Sequence, residues 1–156
     1  MLELPLVSVG IGLVARRHTL EKARSVSDTC GCIDKWILDQ DAPYAAIAVS
    51  KEFSQVTHEN TVKWETIEPQ PGVFDFTAAD ALVDWAQKHN KKIRGHTLAW
   101  HSQLAPWVTA NKYTATELKA ILERHVTTVV THFKGKIFQW DVVNEGECHV
   151  KQSFEI

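Results

Sequence analysis

The sequence lacks the features that would assign it to a membrane or a nucleic acid. No stretch reaches the roughly 20 apolar residues that a bilayer-spanning helix needs, since the longest candidate runs only from Leu4 to Ala15. The 17 basic and 19 acidic residues nearly balance and form no basic run. We therefore expect no nucleic-acid or membrane partner, and a neutral substrate meets no electrostatic opposition.

Cysteine is also scarce, with three residues in the whole chain. Cys30 and Cys32 are too close in sequence for an easy mutual disulfide, and Cys148 lies near the C-terminal end. A Cys-x-Cys pair without further cysteine or histidine partners at zinc spacing is more often incidental than metal-binding. The sequence therefore predicts no metal and no cofactor.

The N-terminal region offers a weak candidate for a secretory signal. Leu4 to Ala15 have the length of a signal's apolar core, but Glu3 stands where a basic region belongs. Residues 1–40 show no sustained hydrophobic period, and regular alternation of strand-like and helix-like segments begins at Asp41. We therefore treat residues 1–40 as a segment apart.

From Asp41 onward the pattern predicts alternating helices and strands. The expected segments are a helix from Tyr44 to Phe53, a strand from Gln55 to Thr57, a helix from Thr77 to about His89, a strand from Lys92 to Leu98, a helix from Leu118 to about Lys134, and a strand from Ile137 to Val143. Thr77 with Asp80 resembles a capping box, and Gly135 suits a left-handed helix stop. The alternation indicates parallel βαβ units, and periodicity alone leaves half of an eight-stranded barrel and a small open sheet as alternatives.

The most informative stretch runs from Trp140 to Glu145. An apolar run that ends in Asn-Glu indicates a buried strand delivering an amide and a carboxylic acid to its C-terminal end, where catalytic barrels place their working groups. A glutamate held beside a tryptophan wall can retain its proton toward neutral pH, which suits a general acid. A lone Asn-Glu is also typical of a helix cap or a solvated loop.

Four blocks in order resemble glycoside hydrolase family 10, the endo-β-1,4-xylanases, over about residues 41–145, and the match is close to the fungal members. The blocks are Thr57 to Trp64, Glu68-Pro69 through Gly72 to Phe76, Arg94 to Gln103, and Trp140 to Glu145. The resemblance implies a (β/α)8 TIM barrel, present here as an incomplete first half with about strands two to four recognisable. It also implies a secreted enzyme that cleaves internal β-1,4 bonds of xylan with retention, with xylan and xylooligosaccharides as its ligands and no specific protein partner.

The resemblance assigns roles residue by residue. Glu145 matches the acid/base, and Asn144 matches the amide that hydrogen-bonds the sugar 2-hydroxyl next to the cleaved bond. The positions that line the glycon subsites are matched by Glu59, Asn60, Lys63, His96, Trp100 and Gln103. A neutral pentose offers hydroxyls to amides and charged groups and an apolar ring face to an indole.

Other interpretations of these side chains come from their residue types alone. His96 and His101, with Glu59 nearby in the implied fold, also suggest a metal, although hydrogen-bonding histidines fit the spacing better. Lys63 outside its block would be a solvated surface charge.

The expected mechanism requires a second carboxyl group. Retaining hydrolysis uses two carboxyls about 5 to 5.5 Å apart, and the family's nucleophile is a glutamate near the end of the seventh strand. We find no match for it, so we expect no nucleophile in this chain, and residues 146–156 have no counterpart that we recognise. The sequence thus predicts a truncated, inactive form of a xylanase, and the alternative is a non-catalytic xylan-binding or non-functional half-barrel.

Overall fold

The computed structural model describes residues 30–146, and their centre is a parallel sheet of four strands. The strands are β1 Cys30–Ile33, β2 Gln55–His58, β3 Lys92–Trp100 and β4 Gln139–Asn144. They lie side by side in chain order, and every neighbouring pair is parallel. Parallel strands connected through helices are the arrangement that the alternating pattern predicted.

Six helices accompany the sheet within the described residues. They are α1 Lys35–Gln40, α2 Ala42–Val49, α3 Trp64–Ile67, α4 Thr77–Lys88, α5 Pro106–Ala110 and α6 Ala115–His132. None of these helices combines the length and the apolar character needed to cross a bilayer. The candidate signal from Leu4 to Ala15 lies outside the described residues.

Two expectations about the N-terminal part of the fold need correction. A first strand and a helix, β1 and α1, do lie before Asp41, where the sequence showed no period. They escaped notice because β1 has four residues, one of them glycine, which is too short to show alternation. The next helix, α2, ends at Val49 rather than Phe53.

The start of α4 differs from the predicted capping box, whereas the glycine stop after α6 agrees with the prediction. Thr77 is the first helical residue of α4 rather than a capping-box residue, and its N–H is held at 2.9 Å by the carboxylate of Asp75. A capping box is present instead at α6, where the Thr114 and Glu117 side chains each accept from the other's backbone N–H. Gly135, with φ of 77°, follows α6 as predicted.

The main core lies between the sheet and the helices α4 and α6. Its fully buried members include Val56, Ile93, Leu82, Val83, Val129 and Phe133. Trp140 of β4 joins this layer and lies against Gly95 of β3, where a Cβ would be only 2.3 Å from the ring carbons Cε3 and Cζ3 of the indole. The close approach of the Trp140 ring to the backbone of β3 therefore requires glycine at position 95.

A buried carboxylate fastens the segment after α3 to α6. Glu68 has no exposed surface and accepts hydrogen bonds from Arg124 at 2.8 Å, from His125 at 2.9 Å and from the N–H of Gly72 at 2.8 Å. The Trp107 indole donates to the backbone oxygen of Glu68 at 2.9 Å. These contacts immobilise the chain beside α3 and so the side chains that precede this helix.

Candidate active site

Polar side chains gather at the C-terminal ends of three neighbouring strands. Glu59 and Asn60 directly follow β2, Trp100 is the last residue of β3, and Asn144 and Glu145 end and follow β4. Because parallel strands end at the same edge, the fold brings these five side chains to one side of the sheet. This is the edge at which the sequence placed them.

Glu145 leaves the sheet in an uncommon backbone conformation. Its φ is 52°, in the left-handed region where non-glycine residues are rare and where functional sites are enriched. Its Oε2 atom accepts a hydrogen bond from the indole Nε1–H of Trp100 at 2.8 Å, and His101 Nδ1 lies 3.9 Å from the same oxygen. A tryptophan, Trp100, therefore does lie beside the Glu145 carboxyl, but it does not enclose it, since the Glu145 side chain is 59% exposed.

A pocket of about 480 Å³ opens beside this carboxyl. One wall is formed by the end of β3, with Trp100 and His101, and the other by Val143, Asn144 and Glu145. The volume is within the range that holds small-molecule ligands. Both residues of the Asn-Glu pair therefore border a space that a ligand can occupy.

Lys63 is buried, with 4% of its surface exposed, and so is not a solvated surface charge. Its Nζ lies 4.2 Å from the ring centroid of Trp100, which is the geometry of a cation–π contact. Burial lowers the pKa of Lys63, and the nearby Cys32 thiol and the carboxylates of Glu145 and Glu59 act against that change. The carboxylates of Glu145 and Glu59 thus favour the charged ammonium at this edge of the sheet.

His96 is fixed by a carboxylate that the sequence did not single out. Asp141, 15% exposed, accepts from Arg94 Nη2 at 2.7 Å and from His96 Nδ1 at 2.8 Å. Since a carboxylate only accepts, the Nδ1 atom of His96 bears the hydrogen, which leaves Nε2 for a ligand. A usable signal was present, because Asp141 stands four residues before Glu145, a spacing that in an uninterrupted strand would put both side chains on the same face.

Gln103 and Asn60 form a second polar group at this edge. Gln103 Nε2 donates to Glu65 Oε1 at 3.0 Å and approaches Asn60 Oδ1 at 3.4 Å. The backbone N–H of Glu59 donates to Ile33 of β1 at 3.1 Å, while its side chain is exposed. Glu65 was not predicted from the sequence, and its role here is to orient the Gln103 amide.

No three histidine, cysteine, aspartate or glutamate side chains within residues 30–146 are grouped as metal ligands. His96 and His101 have different partners, Asp141 for the first and Glu145 for the second. The side chains at the strand ends comprise hydrogen-bond donors, acceptors and an indole, a set that suits a neutral polyhydroxylated ligand.

A family model described as glycosyl hydrolase family 10 matches residues 19–153. The chain belongs to glycosyl hydrolase family 10. The match starts before Asp41 and continues past Glu145, so the family likeness is longer than the span of residues 41–145 inferred from the four blocks.

Relatives in this family are named as xylanases. The chain is 40% identical over 139 residues to endo-1,4-beta-xylanase A of Humicola insolens, and 50% identical over 97 residues to a beta-1,4-xylanase of Dictyoglomus thermophilum. These alignments cover 88% and 62% of this chain but 37% and 27% of the two enzymes. The chain thus spans well under half the length of these relatives.

Solved family 10 structures share the fold of the described residues. Xylanase 10B from Thermotoga petrophila, in complex with xylobiose, superposes with a TM-score of 0.70 at 41% identity, and native xylanase 10B from Thermotoga maritima with 0.71 at 40%. Each superposition covers 77% of this chain, and 36% and 38% of the two enzymes. The predicted (β/α)8 barrel, present here in part, is therefore confirmed.

Proposed function

We propose that this chain supplies the acid/base and the glycon-binding side chains of a retaining endo-1,4-β-xylanase. The observation that supports this most directly is the position of Asn144, which ends β4, and of Glu145, which follows it, on the border of a pocket of about 480 Å³. Family membership and relatives named as xylanases give the pocket its proposed ligand, a xylooligosaccharide.

Glu145 is proposed to act first as a general acid and then as a general base. As a carboxylic acid it protonates the glycosidic oxygen while that bond breaks, and as a carboxylate it then removes a proton from the attacking water. Its exposure of 59% leaves room for a sugar ring and then for water. Asn144, beside it, is proposed to bond the 2-hydroxyl next to the cleaved bond.

The glycon side is proposed to bind through the remaining polar group. Lys63, His96 and Gln103 offer donors to sugar hydroxyls, Glu59 and Asn60 offer oxygens, and Trp100 offers an aromatic face to the ring. Asp141 fixes His96 for this contact at 2.8 Å. Because a polymer such as xylan does not enter cells, we propose that the enzyme acts outside the cell, as the family likeness implied.

The reaction also requires a nucleophilic carboxylate about 5 to 5.5 Å from the acid/base. We assign none within residues 30–146, because Asp141 is bonded to Arg94 and His96, and Glu59 belongs to the proposed glycon group. This observation favours a second candidate function for the chain by itself, the binding of xylooligosaccharides without hydrolysis.

Two measurements on the purified chain separate these functions. Reducing sugar released from xylan is compared between the chain, Glu145→Gln and the matched variant Glu123→Gln, whose exposed carboxylate lies on α6. Calorimetry with xylotriose is run on the same proteins and on His96→Ala. Hydrolysis lost only in Glu145→Gln supports the enzyme, whereas binding that is lost in His96→Ala without any hydrolysis supports the binding protein. Hydrolysis unaffected by Glu145→Gln refutes the acid/base assignment.

A further inference from the structure

We infer that Lys63 is a positioning residue for Glu145, acting through the ring of Trp100. The ammonium lies over the indole face, and the indole N–H holds one oxygen of the carboxyl. The inference rests on the proposed function only in giving Glu145 its acid/base role. It adds to the proposed sugar contact of Lys63 a second task within the protein.

The first of the two contacts joins the side chains of Trp100 and Glu145. The Nε1–H of the indole donates to Oε2 at 2.8 Å, a normal distance for a hydrogen bond to a carboxylate. With Oε2 already accepting from the indole, the transferable proton is assigned to Oε1. The orientation of the acid therefore depends on where the indole ring lies.

The second contact determines where the ring lies. Lys63 Nζ is 4.2 Å from the centroid of the Trp100 ring, and the ammonium is largely removed from water, where a cation–π contact is strongest. Trp100 itself is only half-buried at the strand end. Among the described aromatic side chains, His101 also contacts the Trp100 ring, edge-on at 5.8 Å between ring centroids, but the side chain of His101 is 70% exposed. Lys63 is thus the best-anchored of the two neighbours.

Lys63 can hold a ring in place because its own backbone is held. Its N–H donates to the Asn60 oxygen at 3.1 Å, and the following residue, Trp64, is buried and stacks on His125 at 3.9 Å between ring centroids. His125 is bonded in turn to the buried Glu68. The ammonium is therefore connected to the core of the fold, whereas Glu145 stands in an exposed segment beyond the sheet.

The test follows the Trp100 indole N–H by two-dimensional nitrogen–proton NMR while the pH is varied through the titration of Glu145. The chain has six tryptophans, so Trp100→Phe identifies the signal. We expect the signal to move with pH in the unmodified chain and to stop moving in Glu145→Gln. Movement that persists in Glu145→Gln would mean that the indole senses His101 instead, and would overturn the inference.

The role of Lys63 is tested by removing its charge. In Lys63→Met the Trp100 signal should move less with pH and shift toward the position of a solvent-exposed indole, and Lys63→Arg should restore both properties. If Lys63→Met loses the signals of the buried Trp64 and Trp140 indoles, Lys63→Gln makes the same comparison with a polar side chain. A Trp100 signal that behaves identically with and without the charge overturns the inference.

This readout is independent of hydrolysis. A chain that shows the coupling of Lys63, Trp100 and Glu145 but neither binds nor cleaves xylooligosaccharides would refute the proposed function and keep the inference. If the chain binds xylotriose but its Trp100 signal is unaffected by Lys63→Met and by Glu145→Gln, the inference is refuted and the proposed function is kept.

Discussion

Gly95→Ala should destabilise the fold strongly, because the space that a methyl group would need is filled by Trp140. The added Cβ would lie 2.3 Å from two indole carbons and 2.8 Å from a third, so the ring must retreat by roughly 1 Å to reach an ordinary contact. The indole has little room to move, since Trp140 is 7% exposed and packs on Phe133 with ring centroids 6.0 Å apart.

The magnitude follows from two opposing terms. Overfilling a packed core costs about 1 to 3 kcal/mol, and a rigid two-ring side chain belongs at the upper end. Alanine also reduces the conformational entropy of the unfolded chain, which returns about 0.4 to 1 kcal/mol. The clash dominates, so we expect a net loss of about 2 kcal/mol in the free energy of unfolding.

The measurement is urea denaturation followed by tryptophan fluorescence. With a slope of about 1 to 3 kcal/mol per molar urea, the midpoint of Gly95→Ala should fall by about 1 M. Trp140→Phe is the partner variant, because a phenyl ring lacks the Cε3 and Cζ3 carbons that the methyl group meets. The double variant should lose about 1 kcal/mol less free energy of unfolding than the sum of the losses in the two single variants. An unchanged midpoint for Gly95→Ala, or strictly additive losses, would refute the packing argument.

Three further predictions concern stability. Burial lowers the pKa of His58 to about 4, below the ordinary value of 6.5, so between these pH values the unfolded chain binds more protons than the folded chain. The free energy of unfolding should therefore fall by about 3 kcal/mol as the pH is lowered from 6.5 to 4. An equally steep pH dependence in His58→Asn would contradict this. Glu68→Ala leaves the fully buried His125 without its hydrogen-bond partner and should lower the free energy of unfolding, measured by urea denaturation, by about 3 kcal/mol. The control Glu123→Ala removes an exposed carboxylate and should have little effect. Equal effects of the two variants would be evidence against a stabilising role for the hydrogen bonds of Glu68. Thr114→Ala should lower the free energy of unfolding by about 1 kcal/mol while Thr114→Ser keeps the cap, so similar losses in both would argue that the hydroxyl is unimportant.

The sequence predicted the elements whose hydrophobic period is long, namely α4, α6 and the strands β3 and β4. It failed where tertiary contacts decide the boundary. α2 ends at Val49 because the buried ammonium of Lys91 binds the carbonyl oxygens of Ser50 and Phe53, and Lys91 lies about 40 residues farther along the chain. No local pattern contains that interaction.

The same competition explains the misplaced capping box. Asp80 was expected to serve the N-terminus of α4, but its carboxylate lies 2.8 Å from His132 Nε2 on α6 and is also approached by Lys136. Thr114 and Glu117 have no such distant hydrogen-bond partners within residues 30–146, and there the local pairing forms. Sequence spacing predicts a cap only when neither side chain has a better partner elsewhere.

For the candidate site, sequence motifs identified the side chains at the strand ends but not the contacts between them. The burial of Lys63 and the bonds of Asp141 to Arg94 and His96 depend on neighbours more than 30 residues away in the chain. A motif names residue types at fixed spacing, whereas these contacts require the register of one strand against the next.

That register contains an irregularity on which the position of Glu145 depends. β3 advances three residues from His96 to Ala99 while β4 advances two from Asp141 to Val143, so β3 holds one extra residue. In an uninterrupted register Trp100 would lie opposite Glu145, but with the extra residue it lies opposite Asn144. Pairing therefore ends one residue before Glu145, which leaves this residue outside the ladder, with a φ of 52° and its carboxylate bonded to the indole N–H of Trp100. The motif identifies which glutamate follows the strand, and the extra residue in the neighbouring strand determines which way that glutamate turns.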